Sequence, residues 1–394
     1  MISIQRSVRC VLPRALRMRQ LSSTSSPTSF KFSDLEVQQC KPNEMAPKPD
    51  PNNLVFGHHF ADHMLEIPWN ADQGWGKPVI CPVHNFSFHP AAKVFHYAVE
   101  LFEGMKAYRG YDQKVRLFRP DCNMERMRST AIRSSLPDFD GDEMIKCIQK
   151  LVSVDKEWVP HSTTSTLYLR PTFIGTEPSL GVSVSREALL YVISGPVGPY
   201  YPTGFKPVHL LADPKYVRAW EGGCGAYKMG ANYAPTINIQ LEALEKHHCQ
   251  QVLWLYGPEH QLTEVGTMNI FMFWVNEQGE RELVTPPLDT GIILPGVTRR
   301  SLIDLARKWG DIKVSERTFN MKDVTKALNE NRLLELFGAG TACVVCPVEK
   351  IIYQGDDLHI PTMKDGAPIT MKLYQELTDI QYAKTPSDWM VEVD

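Results

Sequence analysis

Residues 195–207, GPVGPYYPTGFKP, carry four prolines and three glycines and divide the chain near its middle. Proline lacks a backbone N–H and glycine brings no side chain to a packed element, so neither helix nor strand is expected to run through this stretch. It reads as a linker. On each side, strand-like and helix-like segments alternate, the pattern of an α/β or α+β chain. The sequence therefore predicts two α/β domains, residues 28–194 and 208–394, joined by the 195–207 segment.

Within the first half, residues 105–110 and 114–118 flank a turn at Asp112 and predict a hairpin. Over 141–158, Met144, Ile148, Leu151 and Val152 fall on one helical stripe behind a cap at Asp140 or Asp142. Residues 167–174 and 188–193 are expected strands. In the second half the expected strands are 208–212, 251–256, 270–275, 282–285, 333–337, 342–345 and 350–353. Pro235 suits the first turn of a helix whose stripe is Ile237, Leu241 and Leu244. Another helix, 298–309, is stopped by Gly310, and a last one covers 369–382.

Charge narrows the function classes. Over 394 residues, 42 basic and 45 acidic side chains give a net charge of −3, which offers no global field for nucleic acid or an anionic membrane. No run approaches the ~18–20 apolar residues of a membrane span. Arg6, Arg9, Arg14, Arg17 and Arg19 precede the first acid, Asp34, and are followed by LSSTSSPTS. This composition predicts a mitochondrial transit peptide over residues 1–27 and hence the mitochondrial matrix. Nine scattered cysteines do not form a disulfide framework, and in that compartment most are expected reduced. Cys343-Val344-Val345-Cys346 admits three readings: a redox-active dithiol, two incidental thiols, or part of a metal site. The second cysteine pair or histidines of a structural zinc site are missing. His58, His59 and His63 read as solvated or core histidines, so no metal is expected.

Lys228 stands in a glycine-rich segment, GGCGAYKMGANYAP, residues 222–235. Gly222, Gly223, Gly225 and Gly230 let the backbone pass close to a neighbour. Tyr227, Tyr233 and Pro235 suggest a shaped wall. Either this is a surface-loop lysine, or it is an amine held out of water and able to form an imine. A phosphate-binding P-loop is excluded, because Tyr227 and Met229 flank the lysine where Gly and Ser or Thr are required.

An imine-forming lysine is useful with an aldehyde cofactor, so partners for pyridoxal 5'-phosphate are the test. Such a cofactor needs an acid at its ring nitrogen, a hydroxyl near its ring oxygen and an anion site. Glu264, Tyr233 and the Gly296 helix start supply candidates for each. Singly, each has a dull explanation: a turn acid, a wall aromatic, a loop glycine. Their joint order carries the information.

Glu264-x-Gly266-x-x-Asn269-Ile270-Phe271, then Leu283-Val284-Thr285, then Leu294-Pro295-Gly296-Val297-Thr298-Arg299 resemble the class IV aminotransferase signature. YAVELFEGMK from Tyr97, YLRP from Tyr168, GAYKMGANY and FGAGTACVVCP resemble the branched-chain aminotransferases of that family. The resemblance runs from about Phe56 to the C-terminus.

It implies the type IV fold of pyridoxal-phosphate enzymes, with a smaller N-terminal and a larger C-terminal domain. It implies that Lys228 holds the cofactor covalently and shuttles the substrate α-proton, with Glu264 at the ring nitrogen and Tyr233 at the ring oxygen. Arg126, Val297, Thr298 and Thr341 would hold the phosphate, and Thr267 would be a further cofactor-binding residue. On the substrate side it implies Phe56, Tyr97, Tyr168, Arg170 and Tyr200, with the Thr341 and Ala342 amides at the α-carboxylate. Arg170 would also meet the γ-carboxylate of glutamate. The implied reaction is transamination between leucine, isoleucine or valine and 2-oxoglutarate. Also implied are a homodimer with a site completed by the second subunit and a redox switch at Cys343 and Cys346. A D-amino acid aminotransferase, an aminodeoxychorismate lyase, or an idle relative acting in binding or redox are the alternatives.

Overall fold

The computed structural model describes residues 29–51, 53–198 and 206–394. The predicted transit segment 1–27 and Tyr200 lie outside the described residues. Among those described, the strands form two sheets, one of ten and one of nine strands.

The first sheet centres on His63–Asn70, Glu187–Val197, Thr166–Gly175 and Met105–Arg109, paired antiparallel in that order. The predicted hairpin is present, with Ala107 opposite Leu117. Glu187–Val197 runs further than expected: Gly195–Val197 pair with 166–168, so the first residues of the predicted linker are strand. Pro196 is accommodated because it retains a carbonyl acceptor, although it cannot donate. Helices Pro120–Arg133 and Gly141–Val154 cover one face of the sheet. Asp140 caps the latter by accepting the Asp142 and Glu143 amides. Met144, Ile148, Leu151 and Val152 are buried with Leu65, Ile67, Leu167 and Leu169, as alternation along the strands requires.

The second sheet closes on itself. Gln261–Val265, Gln251–Tyr256, Val208–Ala212, Val344–Tyr353, Leu333–Gly340 and Met268–Val275 are successive neighbours, and the last pairs back to the first. Sequence reading missed Gln261–Val265, which carries Glu264. It also divided Val344–Tyr353 into two strands beginning at 342. The segment is one strand that pairs antiparallel with Leu333–Gly340, then parallel with Val208–Ala212, while Thr341–Cys343 form the turn. Leu253, Val265, Ile270 and Val348 fill the interior, and Val297–Trp309 and Pro368–Gln381 pack outside against Phe271 and Phe337.

One helical stripe differs from expectation. Thr236–His247 leaves Ile237, Leu241 and Leu244 exposed and buries Ala243, with Ile239 beside it. Pro235 occupies its N-cap rather than its first turn. At the other end of the chain, Met390–Glu392 returns to the first sheet as an edge strand beside Val115–Phe118.

Candidate active site

Lys228 lies between the Val208–Ala212 strand and the Thr236–His247 helix, on a loop stitched to the first sheet. Its N–H donates to Thr130 Oγ1 at 3.2 Å, and its carbonyl accepts the Phe102 N–H at 3.1 Å. Gly230 lets the loop pass close to Glu100, whose carboxylate would have to shift if a Cβ were present. The ammonium is half-buried rather than dry. Nζ lies 3.1 Å from the Tyr233 hydroxyl, 4.7 Å above the Phe102 ring and 5.3 Å from the Tyr233 ring.

A cavity of about 670 Å³ opens beside this amine. One end is built for an anion. The Val297–Trp309 helix begins at its wall, so the first-turn amides of Val297 and Thr298 have no partner within the helix and carry the positive end of its dipole. Gly296 precedes them where a Cβ would overlap Asn269 Oδ1. Thr267 and Thr341 share this cavity. Arg126 reaches it from the Pro120–Arg133 helix, held by Glu103: Nε and Nη2 each donate to the carboxylate at 2.7 Å, and Nη1 donates to the Pro295 carbonyl at 3.0 Å. Of roughly five guanidinium N–H groups, about two are left for an anion.

Glu264 sits behind the cavity floor. Oε1 accepts from the Leu294 N–H at 2.9 Å and from Asn269 Nδ2 at 3.3 Å, both lining residues, and Oε2 meets Arg218 Nη1 at 2.8 Å. Burial pushes its carboxyl up from the usual range, opposed by Arg218 and the Leu294 amide.

The other end is apolar, with one basic group. Phe56 meets Tyr168 edge-on at 5.1 Å, and Ile193 completes the wall. Arg170 lies 4.6 Å over Phe102 and donates to the Tyr168 hydroxyl at 3.3 Å. Its buried Nε has no hydrogen-bond partner. Thr341 and Ala342 border the same space, and Lys106 Nζ holds the Ala342 carbonyl at 3.0 Å.

Tyr97 does not reach this cavity. It is 39 % exposed, and its hydroxyl donates to the Leu180 carbonyl. Cys343 follows the Thr341–Ala342 edge, its Sγ 3.1 Å from Met268 Sδ, while Cys346 is buried opposite Gly338. Burial raises the Cys343 thiol to about 11. Val344 between them has φ +66°, a strained conformation for a β-branched residue. His63 is a satisfied core histidine: Nε2 accepts the Cys40 N–H, so Nδ1 carries the proton and donates to Asp155.

Arg218, Glu103 and Lys106 were not singled out in the sequence. Glu103 and Lys106 fall inside the quoted YAVELFEGMK stretch, but no local pattern marks what they pair with.

The amino-transferase class IV family model matches residues 100–351. The cytosolic branched-chain-amino-acid aminotransferase of Mus musculus is 59 % identical over 366 residues, 93 % of this chain and 94 % of the relative. The mitochondrial one of Bos taurus is 55 % identical over 368 residues, 93 % of each. A branched-chain aminotransferase of Thermobaculum terrenum in its PLP form shares the fold, with TM-score 0.67 and 20 % identity over 86 % of this chain and all of that one. A lysine facing an anion end, a buried acid and an apolar wall thus occurs in a chain that belongs to the class IV aminotransferase family.

Proposed function

We propose that the protein is a pyridoxal-phosphate-dependent transaminase. It interconverts L-leucine, L-isoleucine or L-valine plus 2-oxoglutarate with the branched 2-oxo acids plus L-glutamate, in two half-reactions. The carrying observation is the single cavity that joins the Lys228 amine, the Val297–Trp309 helix start and the Phe56–Tyr168–Ile193 wall.

The residues fit the cofactor. Partnerless first-turn amides and the remaining Arg126 N–H groups suit a phosphate, and Glu264 suits a ring nitrogen that must keep its proton. When bound, pyridoxal phosphate supplies the electron-withdrawing ring that allows an amino acid to lose its α-proton. Lys228 Nζ takes that proton and returns it, and the Tyr233 hydroxyl orients the amine. The apolar wall favours branched side chains, each worth ~1.5–3 kcal/mol on burial. Arg170, with an unpartnered Nε, compensates the second carboxylate of glutamate, which would otherwise be costly to bury.

The chain is further assigned two domains divided near 195–207 and a transit segment that directs it to the mitochondrial matrix. Tyr97 stands on the surface, so a substrate role for it requires a second copy of the chain, in keeping with a homodimer. Cys343 and Cys346 are assigned as a redox switch whose oxidation distorts the Thr341–Cys343 turn. Absorbance spectroscopy of the purified protein tests the function: the cofactor band should collapse with leucine and return with 2-oxoglutarate. An unchanged band in the presence of leucine would overturn the assignment.

A further inference from the structure

Three side chains outside the cavity form a cluster that the reaction does not use: Glu66, Cys81 and His84. Their placement follows from register. Leu65 and Ile67 point into the core, so Met64 and Glu66 point to the opposite face of the first sheet. Cys81 is directly opposite Met64 in the neighbouring strand Val79–Pro82, which puts its thiol on that same face, diagonal to Glu66. His84 follows two residues beyond the strand end, and its Nε2 returns to within 2.7 Å of Glu66 Oε1. The sulfur, ring nitrogen and carboxylate oxygen all lie within 4.8 Å of one another. Glu66 Oε1 is buried, and apart from His84 no donor serves it.

We propose that Glu66, Cys81 and His84 form a zinc site with an open fourth position. The donor set suits the ion: one thiolate, one imidazole and one carboxylate are all common zinc ligands, and the mixture of soft and borderline donors disfavours magnesium or calcium. Charge also balances. A divalent cation bound by one thiolate, one carboxylate and a neutral imidazole is neutral overall, so a partly buried position carries no net charge. Binding releases to solvent the Cys81 thiol proton and the proton held between His84 Nε2 and Glu66 Oε1, and it exchanges that hydrogen bond for bonds to the metal.

Geometry requires a small adjustment. Ligands at ~2.0–2.3 Å from zinc in a tetrahedral arrangement stand about 3.3–3.7 Å apart. The carboxylate and imidazole, 2.7 Å apart, must therefore separate slightly, while the sulfur already lies within 4.8 Å of both. His84 can move because it lies past the strand end with its side chain 49 % exposed. Its exposure also leaves the fourth position to water. The bland alternative is a Glu66–His84 ion pair beside an inert thiol.

The cofactor-loaded full chain, reduced and freed of metal by chelation, is dialysed against zinc and, separately, against cobalt(II). One zinc per chain should be retained, and cobalt should produce a sulfur-to-metal charge-transfer band. That band should persist in Cys343→Ser and vanish in Cys81→Ser. His84→Ala should weaken zinc binding by at least about ten-fold while its exposed position keeps the fold intact. Zinc should raise the melting temperature of the parent chain and not of His84→Ala. Failure to retain metal, a band that survives Cys81→Ser, or metal held without a sulfur band would each overturn the proposal.

Discussion

Lys228 gains its setting from Tyr233, five positions on, and from Phe102, which is distant in the chain. Phe102 and Tyr233 supply the faces around Nζ, and the Phe102 N–H fixes the loop carbonyl. Lys228→Ala should reduce leucine-dependent glutamate formation below detection while circular dichroism stays unchanged; measurable turnover would remove this lysine from the reaction. Behind the floor, Arg218 satisfies Glu264 at a side-chain exposure of 3 %. Arg218→Met leaves a carboxyl buried without its cation and should cost about 3–5 kcal/mol in denaturant unfolding of the cofactor-free protein. A loss below about 1 kcal/mol would show that water or another donor replaces it. The sequence marked Lys228 and Glu264 through their motifs but was silent on Arg218, because an ion pair between loop and strand leaves no periodic trace.

At the scale of elements, the Thr341–Cys343 turn joins strands Leu333–Gly340 and Val344–Tyr353 at the cavity edge. Burial lowers Lys106 from its ordinary 10.5 to about 8 and raises Cys343 to about 11. The unfolded chain keeps the lysine proton up to about 10.5, whereas the folded chain releases it near 8. The lysine thus disfavours folding below pH 8, by about 3 kcal/mol. That penalty fades as pH rises to 10.5. Parent minus Lys106→Met unfolding free energy should therefore increase over this interval, and a flat difference would contradict the assignment. For Cys343, alkylation followed by peptide mapping should accelerate about ten-fold per pH unit with no plateau below 10, since the thiolate is the nucleophile. A plateau near neutral pH would mean an activated thiol, the opposite of what its surroundings imply. The Thr236–His247 helix was legible as a helix, but its buried face was not: the sequence contains an apolar stripe at Ile237, Leu241 and Leu244, and tertiary packing turned Ile239 and Ala243 inward.

Across the whole molecule, the C-terminal segment ties the halves together. Met390–Glu392 extends the first sheet, Val393 enters its core, and Trp389 stacks 4.4 Å from Arg119, which also donates to Ser301 and Asp304 on the second-half helix. Deleting residues 387–394 should cost at least about 3 kcal/mol, from the burial of Val393 and Trp389 alone; an unchanged melting curve would refute this tie. Nothing near residue 390 signalled the pairing, because a three-residue strand has no alternation to read and its partner lies some 270 positions earlier. What the sequence by itself determined was local or motif-borne: most strands and helices, the helix start at Asp140, the helix stop at Gly310, and the order of residues from Lys228 to Thr298. Those follow from side-chain period and backbone preference, which act over a few residues. Only the tertiary structure decided that the second sheet closes on itself, that Glu103 holds Arg126 and Arg218 holds Glu264, and that Tyr97 lies outside the cavity lining. Each of these depends on segments distant in sequence burying surface and charge together, and that information exists only once the chain has folded.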